Sequence, residues 1–432
     1  MTDTQTTPSP NNGMAMFKTT DQMLRQQLLN PSQHNSIDGL NIYDVELQNA
    51  SLINLIDNTF PSYLNSATCS ISNNVVALGY PELGDGSTHI YEWDGSSWVQ
   101  RGSDINGDTP NGETGWSTDL SSDGNILVVS SRKGHNGSNV KTGKVDVYEW
   151  DGSAWISKGN PIYGTLLNDN TGASTSISSD GNILAVGSPQ AVNGSNVKTG
   201  KVNIYEWNGT TWVSKGNPIY GPIINAVAGE SVSISSDGNV VAFGTTYAKD
   251  GSNVETGAVD VYEWNGSSWV SKGNTFYGTT NQGITGTSVD ISSDGNTLVF
   301  GSPKAENESG VTTGSVEVYD WNGSVWVQRG DTFYGVNEDG DAGRSVSISS
   351  LGTVVAYGEP FPTGGIGAGR VHVYEWDNVS LSWYQKVPSF DVNTGSTGGG
   401  TASTHTGHSV SLSYDGNVAV YSGTYQAVKR VV

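Results

Sequence analysis

Three stretches of this chain place residue types where chemistry could use them. Asn337-Glu-Asp339-Gly-Asp341 concentrates oxygens in one loop, so Asn337, Asp339 and Asp341 are the best candidates for a weak hard-cation site. Such ions want six or more oxygens, a solvated acidic loop is the competing reading, and no cofactor or metal is expected. His405-Thr-Gly-His408 offers two imidazoles and no evident third ligand. Gly137 to Lys144 looks like a phosphate loop, but five residues separate its glycines instead of four, and Val145 stands where a magnesium-holding hydroxyl belongs. A second copy at Gly194 to Lys201 marks it as ordinary repeat sequence. Stacking is open to Trp116, Tyr163, Tyr220, Tyr277 and Tyr334. Trp116 is the one tryptophan of 13 outside a repeated pair, and the tyrosines recur in Ile/Phe-Tyr-Gly at the start of loops. They could contact glycan or protein; packing between neighbouring repeats is the other role open to the tyrosines. Paired acids or an arginine cluster suited to glycan hydrolysis do not recur at loop positions that align, so the chain reads as no enzyme, with a glycan-active one as the remote alternative.

The elements that carry these residues follow from a repeat. Tyr-Glu-Trp (once Tyr-Asp-Trp) begins at Tyr91, Tyr148, Tyr205, Tyr262, Tyr319 and Tyr374, the first five 57 residues apart and the last step 55. A second tryptophan follows each, at Trp98, Trp155, Trp212, Trp269, Trp326 and Trp383. Ser-Ser-Asp-Gly-Asn begins at Ser121, Ser178, Ser235 and Ser292, with degenerate copies at Ser349 and Ser413 and a shortened one at Ser72. A fixed period of this kind sets the architecture. Each unit reads as two hairpins, one turning at Asp-Gly (Asp237-Gly238) and one at Asn-Gly (Asn265-Gly266) between two tryptophans. A hydrophobic share of only 34 % with 57 glycines suits many short strands and no thick helical core.

The expectation is therefore all-β: a seven-bladed β-propeller over 40–432, built from four-stranded repeats of about 57 residues. Residues 40–57 read as strand material joining the C-terminal strand 427–432 in one composite blade, which removes exposed sheet edges. Residues 1–39 read as a partly disordered arm with a short helix over 19–30, capped by Thr19 and stopped by Pro31. Cys69 reads as a small buried residue in a strand.

Gly229-Glu-Ser-Val-Ser-Ile-Ser-Ser-Asp-Gly-Asn-Val-Val-Ala-Phe-Gly resembles the FG-GAP repeat of integrin α-subunit propellers, and Gly187-Ser-Pro, Gly301-Ser-Pro and Gly200-Lys-Val-Asn-Ile-Tyr are similar to its later elements. The resemblance spans about residues 66–432. Ser178 to Ala185 also looks like WD40 and TolB blades, and the Tyr…Trp pairs look like kelch; all of these imply a propeller. The Asp-x-Asp-x-Asp-Gly calcium loop of integrin-like repeats is not matched, since this turn has one carboxylate, and calcium binding does not carry over.

The net charge of −22 opposes nucleic-acid binding and attraction to anionic membranes. No apolar run approaches the length of a membrane span, one cysteine allows no internal disulfide, and the N-terminus lacks the look of a secretory signal. The functional expectation is a non-catalytic structural or binding propeller on a virion or other particle surface. It would meet protein or glycan on the loop face and other structural proteins through the arm, with no nucleic acid and no membrane insertion. The alternative is a cellular adhesion-like or scaffold propeller, cytoplasmic or extracellular by a non-classical route.

Overall fold

The computed structural model describes residues 68–430 apart from 73, 139, 196, 362–368, 392–405 and 423–426. The chain divides into two units, Met1–Ser51 and Leu52–Val432, and every described residue belongs to the second. The expected arm (1–39), its helix (19–30) and the strand material at 40–57 lie outside the described residues.

The first repeat shows how the sequence builds a blade. Strands β1 (Thr68–Ser72), β2 (Val75–Tyr80), β3 (Ser87–Trp93) and β4 (Trp98–Gln100) pair antiparallel in that order, and a two-residue β5 (Ile105–Asn106) continues the outer edge on β3. β2 is apolar throughout (Val-Val-Ala-Leu-Gly-Tyr) and buried throughout, as suits a strand covered on both faces. β3 leaves the core as it approaches Tyr-Glu-Trp, and β4 lies exposed at the rim. The same plan recurs in five further sheets. Both turns are four-residue turns in which the acid or amide side chain collects backbone N–H groups. In the fourth blade Asp237 Oδ1 accepts Asn239 N–H (3.0 Å), and Asn265 Oδ1 accepts from Ser267 and Ser268 N–H (3.0 and 2.9 Å).

The result is an all-β propeller arrangement with no helix among the described residues. Six sheets of four or five strands are complete blades, against the seven expected. The remaining sheet has three described strands, Val410–Leu412, Val418–Tyr421 and Ala427–Arg430. The described residues therefore show six complete blades and not seven, and residues 40–57, expected to complete the last sheet, are not described.

Hydrophobic cores lie between sheets and not within them. Val240, Ala242, Val259 and Val261 of the fourth blade pack on Val289, Ile291, Leu298 and Phe300 of the fifth. Six further clusters repeat this around the ring. The last joins Val420 of the terminal sheet to Cys69, Ile71, Val76 and Leu78 of the first blade. Cys69 N–H and Ile71 N–H also donate to Ser409 and Ser411 Oγ (3.3 Å each), so the terminal sheet closes on the first blade. Cys69 is buried there, which pushes its thiol pKa up to about 12.

A second joint operates at the rim and accounts for three motifs together. Lys272, at the end of the fourth blade, donates from Nζ to Gly295 O (2.7 Å) and Asn296 Oδ1 (2.9 Å) in the next blade's Ser-Ser-Asp-Gly-Asn turn. Its ammonium stands 5.5 and 5.6 Å from the rings of Trp321 and Trp326, and its carbonyl accepts Trp326 Nε1–H (2.7 Å). Gly273 follows it at φ +88°; a Cβ there would come within 2.7 Å of Trp326 Cδ1, so the tryptophan pair requires glycine. Burial lowers the Lys272 pKa, with Glu263, Asp294 and Asp237 opposing. The same joint recurs at Arg101, Lys158, Lys215 and Arg329.

Candidate functional site

Innermost strands hold a blade on one side only and leave their other face to a central channel. Two chambers occupy it, an upper one of about 330 Å³ and a lower one of about 160 Å³. The first strands of all seven sheets contribute to both walls. These strands are not paired with each other; side-chain oxygens link them. Val232 N–H donates to Ser174 Oγ (2.9 Å), Ile234 N–H to Ser176 Oγ (3.2 Å) and Leu412 N–H to Ser347 Oγ (3.1 Å). That is why a hydroxyl recurs at alternate positions of these strands: one face of each strand stitches while the other enters the core. At the lower mouth the stitching becomes backbone to backbone, from Ser122 through Ser179, Ser236, Ser293 and Ser350 to Tyr414, at 3.0–3.1 Å.

At the upper mouth the repeats stop resembling one another. One ring of aligned positions is uniformly hydroxyl: Thr68, Ser117, Ser174, Ser231, Ser288, Ser345 and Ser409. The residue just before each, going around from the second sheet, is Trp116, Ala173, Glu230, Thr287, Arg344 and His408, all lining the upper chamber. Trp116 is half-buried; its Nε1–H donates to Ala173 O (3.1 Å), and the Arg132 guanidinium stacks 3.1 Å from its ring centroid. Arg132 is itself held by Glu113 Oε2 (2.5 Å), and Lys133 pairs with the other oxygen of that carboxylate. Glu230 opens to the water of the channel but is ringed by protein. That enclosure raises its pKa, with Arg132 and Arg344 pulling the other way. An aromatic face, an acid, a guanidinium group and an imidazole thus line one chamber, with the Arg132 guanidinium stacked on Trp116 beside it. Its size falls in the range of small-ligand sites, roughly 300–1,000 Å³.

The structure separates the aromatic residues singled out in the sequence. Trp116 is at the channel mouth. Tyr163 pairs with Lys144, which pairs with Ser131, which pairs with Thr114, so it lies three strand spacings out on the same end of the blade. That is roughly 14 Å from the channel wall at ~4.8 Å per strand. Tyr163, Tyr220, Tyr277 and Tyr334 are 38, 39, 44 and 36 % exposed and form a rim that does not share a pocket with Trp116.

The oxygen-rich loop is engaged by its own fold. Asn337 N–H donates to Glu359 Oε1 (2.8 Å), Asp339 N–H to Thr312 O (2.7 Å), and the buried Asp341 carboxylate pairs with Lys304. Of the two imidazoles expected near each other, His408 lines the upper chamber and His405 lies outside the described residues. Among the described residues no group of three or more His, Cys, Asp or Glu is placed to hold a metal.

Sequence reading missed three acids and an arginine. Asp119 and Asp290 face the channel where other repeats have serine, and Glu230 and Arg344 stand in the divergent ring. Superposing the copies residue by residue would have exposed all four as departures from the repeat. It also missed a buried chain in the sixth blade, Ser389 Oγ to His372 Nδ1 (2.9 Å) and His372 Nε2 to Glu359 Oε2 (3.0 Å). A hydroxyl, an imidazole and a carboxylate in line suggest hydrolysis, but Ser389 lines neither chamber of the channel. Glu359 instead pins Val336 and Asn337 N–H, so the chain fastens a loop.

No family model matches the chain, and no curated protein matches it.

Proposed function

We propose that this chain is a non-catalytic binding propeller that presents the upper mouth of its channel to a protein or glycan partner, on a virion or other particle surface. One observation carries this. The stitching ring that runs from Thr68 to Ser409 is uniformly hydroxyl, while the ring beside it at the mouth holds six different residue types. Packing and stitching cannot require that variety, since serine and alanine satisfy the same backbone elsewhere. Trp116 offers a ring face and Glu230, Arg344 and His408 offer directional polar groups, which is the chemistry of sugar or side-chain recognition. The acidic surface suits an exposed particle protein. The FG-GAP resemblance fits this reading, because it too implies a display scaffold.

The test is a glycan array probed with the labelled full chain, beside Trp116→Ala and Glu230→Gln variants. Binding to a defined glycan that both variants weaken at least tenfold supports the mouth. Binding unchanged in both places the site elsewhere and ends this reading. Release of new reducing ends from the bound glycan would overturn its non-catalytic part.

We infer further that residues 40–57 complete the terminal sheet as a seventh blade and that residues 1–39 form an arm toward other structural proteins. Support comes from Trp98. In the next five blades the equivalent indole N–H donates to the preceding blade, whereas the buried Trp98 Nε1 has no partner among the described residues. Deleting residues 1–39 should leave thermal unfolding unchanged, and deleting 1–57 should lower the midpoint by several degrees. Equal midpoints for the two deletions would refute the seventh blade.

A further inference from the structure

The wall of the upper chamber divides into groups committed to the fold and groups left over. The hydroxyl ring is committed. Ser231, Ser288 and Ser345 donate to the carbonyls of Gly286, Gly343 and Gly407 in the next sheets (2.8–2.9 Å). Ser174 and Ser409 accept the N–H groups of Val232 and Cys69 (2.9 and 3.3 Å). At the floor, both carboxylate oxygens of Asp119 and of Asp290 accept bonds from strand N–H or hydroxyl groups. The polar partners of a ligand must therefore come from the divergent ring.

Within that ring Thr287 Oγ1 donates to Ile284 O (2.7 Å) and Trp116 Nε1–H to Ala173 O, so both are committed too. Glu230 and Arg344, in the sheets on either side of Thr287, are not. Neither side chain has a hydrogen bond or an ion pair among the described residues, although both line the chamber and their charges act on each other. Opposite charges in one chamber are thus held apart, which leaves space for a ligand that answers both. The backbone sets this spacing. Trp116, Thr287 and Arg344 N–H each donate back to the carbonyl three residues earlier (3.0–3.2 Å), and those residues, Glu113, Ile284 and Asp341, all stand at positive φ. Ile284 takes φ +49°, which a β-branched residue adopts only under constraint, so the turn is imposed by its surroundings. Arg132, clamped by Glu113, covers one face of Trp116 and fixes the ring, whose remaining surface lines the chamber.

We propose that the upper chamber binds the terminal residue of an acidic glycan, with the sugar carboxylate on the Arg344 guanidinium, its hydroxyls on Glu230, and an apolar ring face or substituent against Trp116. The proposal rests on the mouth being a binding site and adds the charge of its ligand. A guanidinium without a partner is a fork that fits a carboxylate through two parallel N–H bonds. Glu230 serves hydroxyls in either state: ionised it accepts from them, protonated it also donates, and enclosure favours the protonated form. An ammonium ligand would answer Glu230 alone and meet repulsion from Arg344. Asp119 and Asp290 below repel an anionic group, so the carboxylate stays at the level of Arg344. At about 330 Å³ the chamber lies at the small end of ligand sites, with room for a sugar at a chain's end and not for an internal stretch.

The test is a saturation-transfer NMR titration of the full chain with the methyl glycosides of glucuronic, galacturonic and N-acetylneuraminic acids, each beside its uncharged methyl ester. At least one acid should bind about tenfold or more tighter than its ester. Arg344→Thr, which matches Thr287 of the preceding repeat, should remove that preference and leave ester binding unchanged. Glu230→Gln should weaken acid and ester to the same extent. Equal binding of acid and ester, weakened by Trp116→Ala and not by Arg344→Thr, overturns the acidic ligand while leaving the mouth a binding site. Tighter binding of methyl glucosaminide, an ammonium sugar, lost on Glu230→Gln and kept on Arg344→Thr, does the same. An acid preference that survives Arg344→Thr, in a variant with wild-type near-ultraviolet circular dichroism, also overturns the proposal. If neither this panel nor any glycan of the array binds, both readings fall. The acid-to-ester ratio of the wild-type chain is the readout if Arg344→Thr fails to fold.

Discussion

At the rim, five successive joints place the same groups: a lysine or arginine reaching into the next blade's turn, a glycine behind it, and a tryptophan pair beneath. Along the channel the same repeats alternate between uniform hydroxyl rings and positions as unlike as Trp116, Ala173, Glu230 and Arg344. The rim joint couples three motifs from two blades, so a change in one must be matched by the others, and copies stay alike. A channel position touches water on one side and asks only for a compatible backbone. Diversity can accumulate there without loss of the ring, and that freedom makes the channel the place to look for function.

The comparison breaks if the rim tolerates change. Trp326→Ala removes a ring packed under Lys272 and leaves the Lys272 carbonyl without its donor. Its expected cost is about 3 kcal/mol in denaturant unfolding of the full chain. A loss under about 1 kcal/mol would show that the joint does not hold the blades.

The next effect has the opposite sign and comes from the channel. Burial pushes the Asp119 carboxyl up to about 7 in the folded chain, above the usual carboxylate value of 3.8. Between those values the native state holds a proton that the unfolded chain has lost, so this group's contribution is fully present below about pH 4 and disappears as pH rises through 7. Asp119→Ser, measured in EDTA, should therefore flatten the decline in stability between pH 5 and 7.5. At pH 7.5 it should be more stable than wild type by roughly 2 kcal/mol. Parallel pH profiles for the two proteins would contradict this.

Spacing alone made the propeller legible, because Tyr-Glu-Trp and Ser-Ser-Asp-Gly-Asn recur at 57 residues and each encodes a turn. What the motifs do for one another was not legible. Lys272 and Asn296 are 24 residues apart in the chain, and their bond exists only once the fourth blade meets the fifth. The tyrosines illustrate the converse. Their recurrence drew attention, yet recurrence at the rim reflects the repeated short strand that ends each blade, as Tyr277 pairing with Ala258 shows. Trp116 stands out as the tryptophan outside the pairs, while Glu230 and Arg344 carry no spacing signal of their own and stand out only when the copies are superposed position by position. Their placement in one ring needs the register of the first strands.

The two smallest effects sharpen the comparison within a single residue type and then at its edge. Trp326→Phe keeps the ring and deletes the N–H that bonds Lys272 O, so it should cost about 1 kcal/mol. Trp98→Phe deletes an N–H with no acceptor among the described residues; if residues 40–57 complete the seventh blade and supply one, the change should cost about the same as Trp326→Phe. A neutral or stabilising Trp98→Phe beside a costly Trp326→Phe would mean that no carbonyl of residues 40–57 reaches that indole, which would count against the seventh blade. Smallest of all, Tyr277→Ala removes a side chain 44 % exposed on the rim and should change stability by less than about 0.5 kcal/mol. Should it cost as much as Trp326→Phe, the rim tyrosines are part of the joint, and their exposure has been traded against a packing role that binding assays at the mouth would not detect.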